Sequence, residues 1–407
     1  MRGKNIFRQM GEDIRGFGFK QWFLLGLNVV LALASLACLL GLRTVSHTLN
    51  STTAADRFRG ESEMRFAQVA CYLPVGQGKQ ETDIFAFRQK LEAAMVEQSL
   101  EAPENGSLYV DAYCGSAEVS VASEHGSATV TALGVGGDFF YFHPLDLRGG
   151  TYISGDDLMD DLVVLDEAMA WRLFGSTDLA GMDMTINGQP FVVAGVIARE
   201  TDFATKKAYT ADGGIFMSYA ALNDLLAGES GGEAQDQEEE QPAPQVQSAL
   251  SIDCYEIVLP DPISGYAMNV VKENFPVGEG DIVENSARYS FSHLWSVVRS
   301  FGERSMRTNG VIYPYWENAL RLTEDYAALL LLLAILLALC PLTVILVTAV
   351  KVIRRSYRAA KAAIPAKVEA AVEKRREEKY EKALEAEAGQ TGEDPVAASA
   401  GEEVEGE

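Results

Sequence analysis

Two runs of residues without a charged side chain constrain this 407-residue chain more than any other feature. The first covers residues 22–42 and the second covers residues 327–350. A helix rises about 1.5 Å per residue, so each run can cross the roughly 30 Å hydrocarbon core of a bilayer. We predict two transmembrane helices. A cleaved signal peptide is the alternative for the first run, but that run is longer than the usual apolar region of about 7–15 residues.

The composition supports this interpretation. The chain has 34 Lys and Arg residues against 58 Asp and Glu residues, a formal charge of −24, yet its mean hydropathy is +0.01. The two values are compatible only if apolar residues are concentrated in part of the chain, as they are in the two runs. The excess of acid excludes a nucleic-acid partner, because binding to phosphates requires Lys and Arg.

Charge around the two runs predicts the topology. Residues 1–21 carry five basic residues against two acidic ones, and residues 351–361 carry five basic residues and no acid. Positive charge favours the cytoplasmic side, so both termini are expected in the cytoplasm of a two-span protein of the cell membrane. The segment 43–325 is then extracytoplasmic, and its 18 basic and 43 acidic residues hold almost all of the negative charge.

Residues that flank the two runs are candidates for anchoring at the membrane surface. Aromatic side chains favour the membrane–water interface, and Arg side chains reach lipid headgroups from the cytoplasmic side. The candidate anchors, for which membrane lipid is the partner, are Trp22, Tyr313, Tyr315, Trp316, Tyr326, Arg354 and Arg355. An amphipathic pattern in residues 1–21 further predicts a cytoplasmic helix that lies along the membrane.

The extracytoplasmic segment has the pattern of an α+β domain. Period-two alternation predicts strands, and apolar residues at helical spacing predict helices. The order is strand 63–73, helix 82–98, strands 107–122 and 128–133, and later strand 252–259, helix 264–274 and strand 281–289. This predicts a split pair of β-α-β units over one sheet, within a domain of residues 43–290 that also contains an inserted β-rich lobe of about residues 132–226.

The insertion carries the motifs that identify a family. They are Gly134–Val135 before Phe139 and Phe140, Leu147 before Gly149 and Gly150, a strand-helix unit ending in Leu173, Phe174 and Gly175, and Ala180, Gly181 and Met182 before a hairpin around Asn187–Gly188. In this order, between two membrane spans, they resemble the MacB-like periplasmic core domain of FtsX-like ABC transporter permeases. The resemblance covers roughly residues 20–290. It makes Phe139, Phe140, Leu173 and Phe174 core residues.

The resemblance implies a function without catalysis. Permeases of the family usually have four spans, whereas this sequence has two and lacks the last two membrane helices. It also lacks the G-x-x-x-x-G-K-[ST] motif of P-loop ATPases. We therefore expect a non-catalytic subunit of an ABC transporter or mechanotransmission complex. Its partners would be a separate ABC ATPase and either a full-length permease or further copies of this chain. The alternative is a membrane-anchored binding or scaffold protein without an ATPase.

The remaining segments are predicted from composition. Residues 228–247 are rich in Gly, Glu, Gln and Pro and predict a disordered acidic loop. Residues 291–326 predict a stalk helix and a juxtamembrane segment. Residues 351–386 predict a charged cytoplasmic helix that could bind anionic lipid or an ATPase, and residues 387–407 predict a disordered acidic tail.

No catalytic, cofactor or metal site is predicted. The four His residues are scattered, and the Asp residues at positions 156, 157, 160 and 161 are better explained as the solvated start of a helix, which Ser154 could cap. Cys71, Cys114 and Cys254 lie outside the spans, where a disulfide is permitted. Their pairing stays open between Cys71–Cys254, Cys71–Cys114 and no bridge at all.

Overall fold

The computed structural model describes residues 18–391 except for 75–78, 101–106, 156, 158, 210–212, 231–248, 276 and 302–310. The chain divides into two compact units. One contains Ser35–Ile335, and the other contains the flanking segments up to Ala34 and from Leu336 onwards. The predicted amphipathic segment (apart from residues 18–21), the acidic loop beyond residue 230 and the acidic tail beyond residue 391 lie outside the described residues.

The elements alternate along the chain. The strands are β1 Phe66–Tyr72, β2 Val110–Ala122, β3 Ser127–Gly137, β4 Leu147–Gly150, β5 Leu162–Asp166, β6 Asp183–Ile186, β7 Gln189–Ile197, β8 Ile215–Ser218, β9 Cys254–Pro260 and β10 Asp281–Glu284. The helices are α1 Phe19–Ser46, α2 Ala54–Arg59, α3 Glu81–Glu97, α4 Phe139–Phe142, α5 Glu167–Phe174, α6 Phe203–Ala208, α7 Tyr219–Ser230, α8 Tyr266–Asn274, α9 Phe291–Arg299 and α10 Tyr315–Thr391.

The predicted pair of β-α-β units is confirmed. Strands β1, β2, β9 and β10 form one antiparallel group in the order β10-β1-β9-β2. Helix α3 follows β1 and helix α8 follows β9. Helix α3 buries Ile84, Phe87, Leu91 and Met95, and Phe87 packs edge-to-face against Tyr255 and Phe275. Burial of large aromatic rings is a strong favourable contribution to a core.

The inserted lobe does not form a sheet of its own. Its strands continue the same sheet in the order β3-β8-β5-β7-β4, with β6 paired to β2 and β7. The hairpin between β6 and β7 turns at Asn187 and Gly188, whose φ angles of 47° and 79° are both positive, as a type I′ turn requires. Helix α5 begins at the cap Asp166, which accepts a hydrogen bond from the Met169 amide at 2.7 Å.

Two regions differ from the sequence-based expectations. The last strand is shorter than predicted, because a 3₁₀ turn at Asn285–Ala287 follows β10. There the Ser286 hydroxyl accepts a hydrogen bond from the backbone N–H of Gln68 at 2.9 Å. The predicted helix start near Ser154 is wrong, because the described residues there are not helical. The Asp157 carboxylate instead accepts a hydrogen bond from the backbone N–H of Ser154 at 2.7 Å.

The family motifs lie where close packing requires them. Phe139 and Leu173 are buried, while Phe140 and Phe174 are half-buried against the core. In the same part of the sheet, a Cβ atom at Gly136 would lie 2.2 Å from the Tyr113 ring. The chain therefore needs glycine on β3 because the Tyr113 ring covers that point of the backbone.

The helices α1 and α10 each contain one of the predicted spans. Among the described residues, Phe19–Ser46 and Tyr315–Lys361 are the two helical segments long and apolar enough to cross a membrane. Within the larger unit, the Ser35 hydroxyl of α1 donates to the Ala334 carbonyl of α10 at 2.9 Å. The predicted stalk is two helices, since α9 ends at Arg299 and α10 begins only at Tyr315.

Candidate functional site

The start of α10 and the residues just before it are built into the extracytoplasmic domain. The side chains of Tyr313, before the helix, and Trp316, in its first turn, are buried in one core cluster with Phe139. The Trp316 ring lies 5.7 Å from the Phe139 ring and 4.6 Å from the His143 ring, measured between centroids. The segment that leads into the second span is thus part of the domain core, so this junction determines how the domain is joined to the membrane helix.

A buried ionic group, which we call the junction cluster, lies at this point. Its members are Tyr72, Asn285, Arg288, Glu317 and Glu324. The Arg288 guanidinium, just after the 3₁₀ turn, donates to Glu324 Oε1 at 2.6 Å and to Asn285 Oδ1 at 2.7 Å, and it also bonds Glu317. All three charged side chains are at most 2% exposed. The domain therefore holds α10 by a cation bonded to two carboxylates seven residues apart on one helix.

Electrostatics keep Arg288 charged. Burial by itself opposes a charge on Arg288, but the carboxylates of Glu317 and Glu324 outweigh it and raise the pKa of Arg288. Burial, followed by the Glu317 charge, raises the pKa of Tyr72 well above its usual range. Tyr72 therefore stays protonated and donates its hydroxyl to Glu317 Oε2 at 2.9 Å. One carboxylate thus accepts hydrogen bonds from both the sheet and the turn.

A second buried pair extends this polar region into the sheet. His143 Nε2 lies 2.5 Å from Glu256 Oε2, and both side chains are about 4% exposed. The other Glu256 oxygen lies 3.4 Å from Asn285 Nδ2 and from Gln68 Nε2. Through Asn285, the polar groups of β9 connect with the junction cluster. Buried polar groups of this kind are costly unless they are bonded to one another, and the Glu256 carboxylate is bonded to all three of its neighbours here.

The inserted lobe contacts α10 at another face. Ala204 and Ala208 of α6 pack with Ala319 and Leu320 of α10. Small side chains allow helices to approach closely. Thus both the split β-α-β group and the inserted lobe contact the same helix, α10.

Beside this contact is a cavity of about 240 Å³ that has polar and apolar walls. Asp166, Arg199, Tyr209, Asp253 and Tyr315 contribute polar groups to it. Burial raises the pKa of Asp166, while the backbone amides of Met169 and Gly214 and the Arg199 charge act in the opposite direction. Among the described residues, no group of three or more His, Cys, Asp or Glu side chains could hold a metal ion.

The structure separates the predicted anchors. Tyr313 and Trp316 are buried in the domain, so the expectation that they anchor the chain at a lipid surface is wrong. The reason is distance: Trp316 lies eleven residues before Ala327, or about 16 Å along a helix. Tyr315 is half-buried and stacks on Tyr209 with 4.7 Å between ring centroids. Anchoring by the exposed side chains of Trp22, Tyr326, Arg354 and Arg355 stays a prediction.

The cysteines also differ from the expected pairs. Cys71, Cys114 and Cys254 are buried free thiols. Strand β9 lies between β1 and β2, so Cys71 and Cys114 are about 10 Å apart at neighbouring-strand spacings, too far for a disulfide. Cys71 and Cys254 belong to core clusters on opposite faces of the sheet. The pair that the structure brings together is Cys114 and Cys254, which are direct register partners.

Sequence reasoning missed the junction cluster. Glu317 and Glu324 are two acids at a spacing of seven just before an apolar run, which in retrospect indicates one helix face with a buried cation beside it. No local pattern marks Arg288 as that cation, because it comes from a turn 29 residues earlier.

Comparison with known proteins identifies the family. Residues 29–249 match the family model of the MacB-like periplasmic core domain. No curated protein sequence matches the chain. Among solved structures, the periplasmic region of MacB from Actinobacillus actinomycetemcomitans is 13% identical with a TM-score of 0.36, and the match covers 62% of this chain and 99% of that one. The extracellular domain of the noncanonic ABC-type transporter YknZ from Gram-positive bacteria is 12% identical with a TM-score of 0.31, covering 52% and 92%.

The family match spans more than half of the 407 residues, and the two candidate membrane helices flank most of the matched domain. The chain therefore belongs to the MacB-like periplasmic core domain family of ABC-transporter-type membrane permeases.

Proposed function

We propose that this chain is a non-catalytic subunit of an ABC transporter or mechanotransmission complex and that it works with a separate ATPase. The junction cluster is the observation that carries the proposal. It bonds the extracytoplasmic sheet to α10, and the sequence of α10 continues through the second apolar run into a basic segment.

The chemistry of the cluster suits a mechanical role better than a role in stability alone. A buried ion pair adds little net stability compared with apolar residues of the same volume, but it specifies one arrangement of the groups it joins. A shift of α10 by one helical turn, about 5.4 Å, would remove both carboxylates from Arg288. We infer that the first turns of α10 and the sheet move together.

The basic segment is the proposed contact for the ATPase. Lys351, Arg354, Arg355, Arg358 and Lys361 are exposed on α10, directly after the apolar run. In the proposed topology this segment and both termini are cytoplasmic, where an ATPase has access to its nucleotide. Residues 43–325 are extracytoplasmic, and their surface would bind or move the transported partner.

Co-purification tests the proposal. The intact chain would be isolated in mild detergent from its native membranes, and its companions identified by mass spectrometry. We expect an ABC ATPase subunit in stoichiometric amount. A variant with Lys351, Arg354, Arg355, Arg358 and Lys361 changed to Gln should lose that subunit.

A matched variant provides the control. It carries the same number of changes to Gln on the same helix, at Lys374, Arg375, Arg376, Lys379 and Lys382, all of which are exposed. This variant should retain the ATPase. If the intact chain brings down no ATPase, the proposal is wrong and the scaffold alternative takes its place.

A further inference from the structure

We propose that the extracytoplasmic domain rests on the outer surface of the membrane, with α9 inserted into the lipid interface through Phe291 and Trp295. The inference is separate from the ATPase proposal. It concerns how the domain meets lipid, and it rests mainly on Phe203, Phe291 and Trp295, which the sequence did not assign to anchoring.

The position of α9 along α10 is the first step. Leu294 and Val297 are each about 1% exposed and pack in one cluster with Ala327, Ala328 and Leu331. Those three residues of α10 are the beginning of the uncharged run at residues 327–350. Leu42 and Val45 of α1 pack against the same cluster. Helix α9 therefore lies beside the first turns of the span, at the level where the apolar part of the bilayer begins.

The apolar surface of α9 is wider than its contact with the other helices. On a helical wheel, Val298, Phe291 and Trp295 continue the arc that starts with Val297 and Leu294. Phe291 is 63% exposed, and its ring stacks almost parallel to the Trp295 ring, with an interplanar angle of 7° and 6.3 Å between centroids. The opposite side carries Ser292 and Ser296, which are exposed. An amphipathic helix with an exposed aromatic edge is typical of elements that lie in a membrane interface.

A second element presents aromatic residues at the same level. Phe203, the first residue of α6, packs edge-to-face on Tyr326 with 5.2 Å between centroids. Phe203 is 41% exposed and Tyr326 is 38% exposed. Tyr326 directly precedes Ala327, so this pair also lies at the start of the apolar run. Aromatic side chains are enriched at this depth because their rings are apolar and their polar atoms reach water or headgroups.

Continuity with the span makes lipid the expected occupant of this surface. The exposed rings border a helix segment whose own Leu329 and Leu333 are exposed and apolar. The sequence placed the aromatic belt on the chain before the span, at Tyr313, Tyr315, Trp316 and Tyr326. The structure buries Tyr313 and Trp316 and leaves Tyr326 exposed. We add Phe203, Phe291 and the half-buried Trp295 to the belt.

Depth-dependent fluorescence quenching tests the proposal in the full chain, reconstituted in phosphatidylcholine vesicles. Cys38 and Cys340 are changed to Ala, and the buried thiols of Cys71, Cys114 and Cys254 are left in place. A single Cys at Phe291→Cys then carries an environment-sensitive NBD label. Ser296→Cys provides the matched control on the polar side of the same helix. The variant without an added Cys is treated with the label in the same way, and its fluorescence gives the background from labelling at other positions.

We expect lipids that carry a nitroxide near the headgroup to quench the label at position 291 several-fold more than the label at position 296. Aqueous iodide should show the reverse order. Equal lipid quenching at the two positions would overturn the proposal. Protection of position 291 from both quenchers would also overturn it, because that result means that protein, either a second copy or a partner chain, covers the surface.

Tyr326→Cys supplies a second reporter in case the Phe291 variant does not fold. It should show the same strong lipid quenching as position 291, relative to position 296. If it is quenched only by iodide, the domain does not rest on the membrane.

Discussion

Arg288 is the residue on which the junction depends most. Its replacement by Met removes the cation that bonds both buried carboxylates of this cluster, although Arg321 Nε still lies 3.0 Å from Glu317 Oε1. Breaking a buried ion pair in this way costs about 3–5 kcal/mol. We therefore expect Arg288→Met to lower the apparent unfolding temperature of the full chain in detergent markedly. Intrinsic Trp fluorescence would follow the unfolding.

Two further variants separate this explanation from a general loss of packing. Arg148→Met removes an exposed partner of Glu167 and should cost only about 0–1 kcal/mol. The triple variant Arg288→Met with Glu317→Leu and Glu324→Leu removes every charge of the cluster and should recover much of the lost stability. An Arg288→Met protein that melts like the unchanged chain would contradict the account.

At the level of elements, the register between β2 and β9 predicts which thiols can bridge. Cys114 and Cys254 are direct partners on adjacent strands, with Cα atoms about 4.5–5.5 Å apart, within the range of a disulfide. Burial raises the pKa of Cys254, and the neighbouring Cys114 raises it further, so the thiolate is scarce and oxidation should be slow.

After prolonged treatment of the full chain with an oxidant such as diamide, we expect a disulfide-linked peptide pair that contains Cys114 and Cys254. Mass spectrometry of the digested, alkylated protein would detect it. Cys71→Ser should leave the linked pair intact, whereas Cys114→Ser should abolish it. A bridge to Cys71 would show that the strand order is wrong.

The elements also show how far the sequence could predict this fold. The helix predicted at residues 82–98 is observed at Glu81–Glu97, because its apolar face repeats at helical spacing and a capping box starts it. The hairpin at Asn187–Gly188 was equally clear, since few dipeptides adopt its two positive φ angles. Both signals are local, so one sequence is enough to read them.

What the sequence could not predict depends on contacts between distant residues. The strands of the lobe join the main sheet because β3 pairs with β8, and these two strands are about 80 residues apart in the chain. The burial of Trp316 is decided by Phe139 and His143, far away in the chain. An aromatic residue near a membrane span has the same local pattern whether it faces lipid or a protein core, so the junction could not be predicted from spacing alone.

At the scale of the whole molecule, the two uncharged runs account for a chain that is both strongly acidic and close to neutral in mean hydropathy. Both runs lie within long helices, and the family match covers most of the domain between them. The proposal adds that an ATPase acts on the basic part of α10 and that the junction cluster passes the movement to the sheet.

The measurement that tests this most directly is hydrogen–deuterium exchange of the purified complex of this chain with its ATPase, with ATP and with ADP. The account predicts that the nucleotide changes the exchange of residues 351–361, of α10 residues 315–331 and of the turn at residues 281–289 together, because Arg288 joins the last two. Changes confined to residues 351–361, with none in the extracytoplasmic domain, would contradict it.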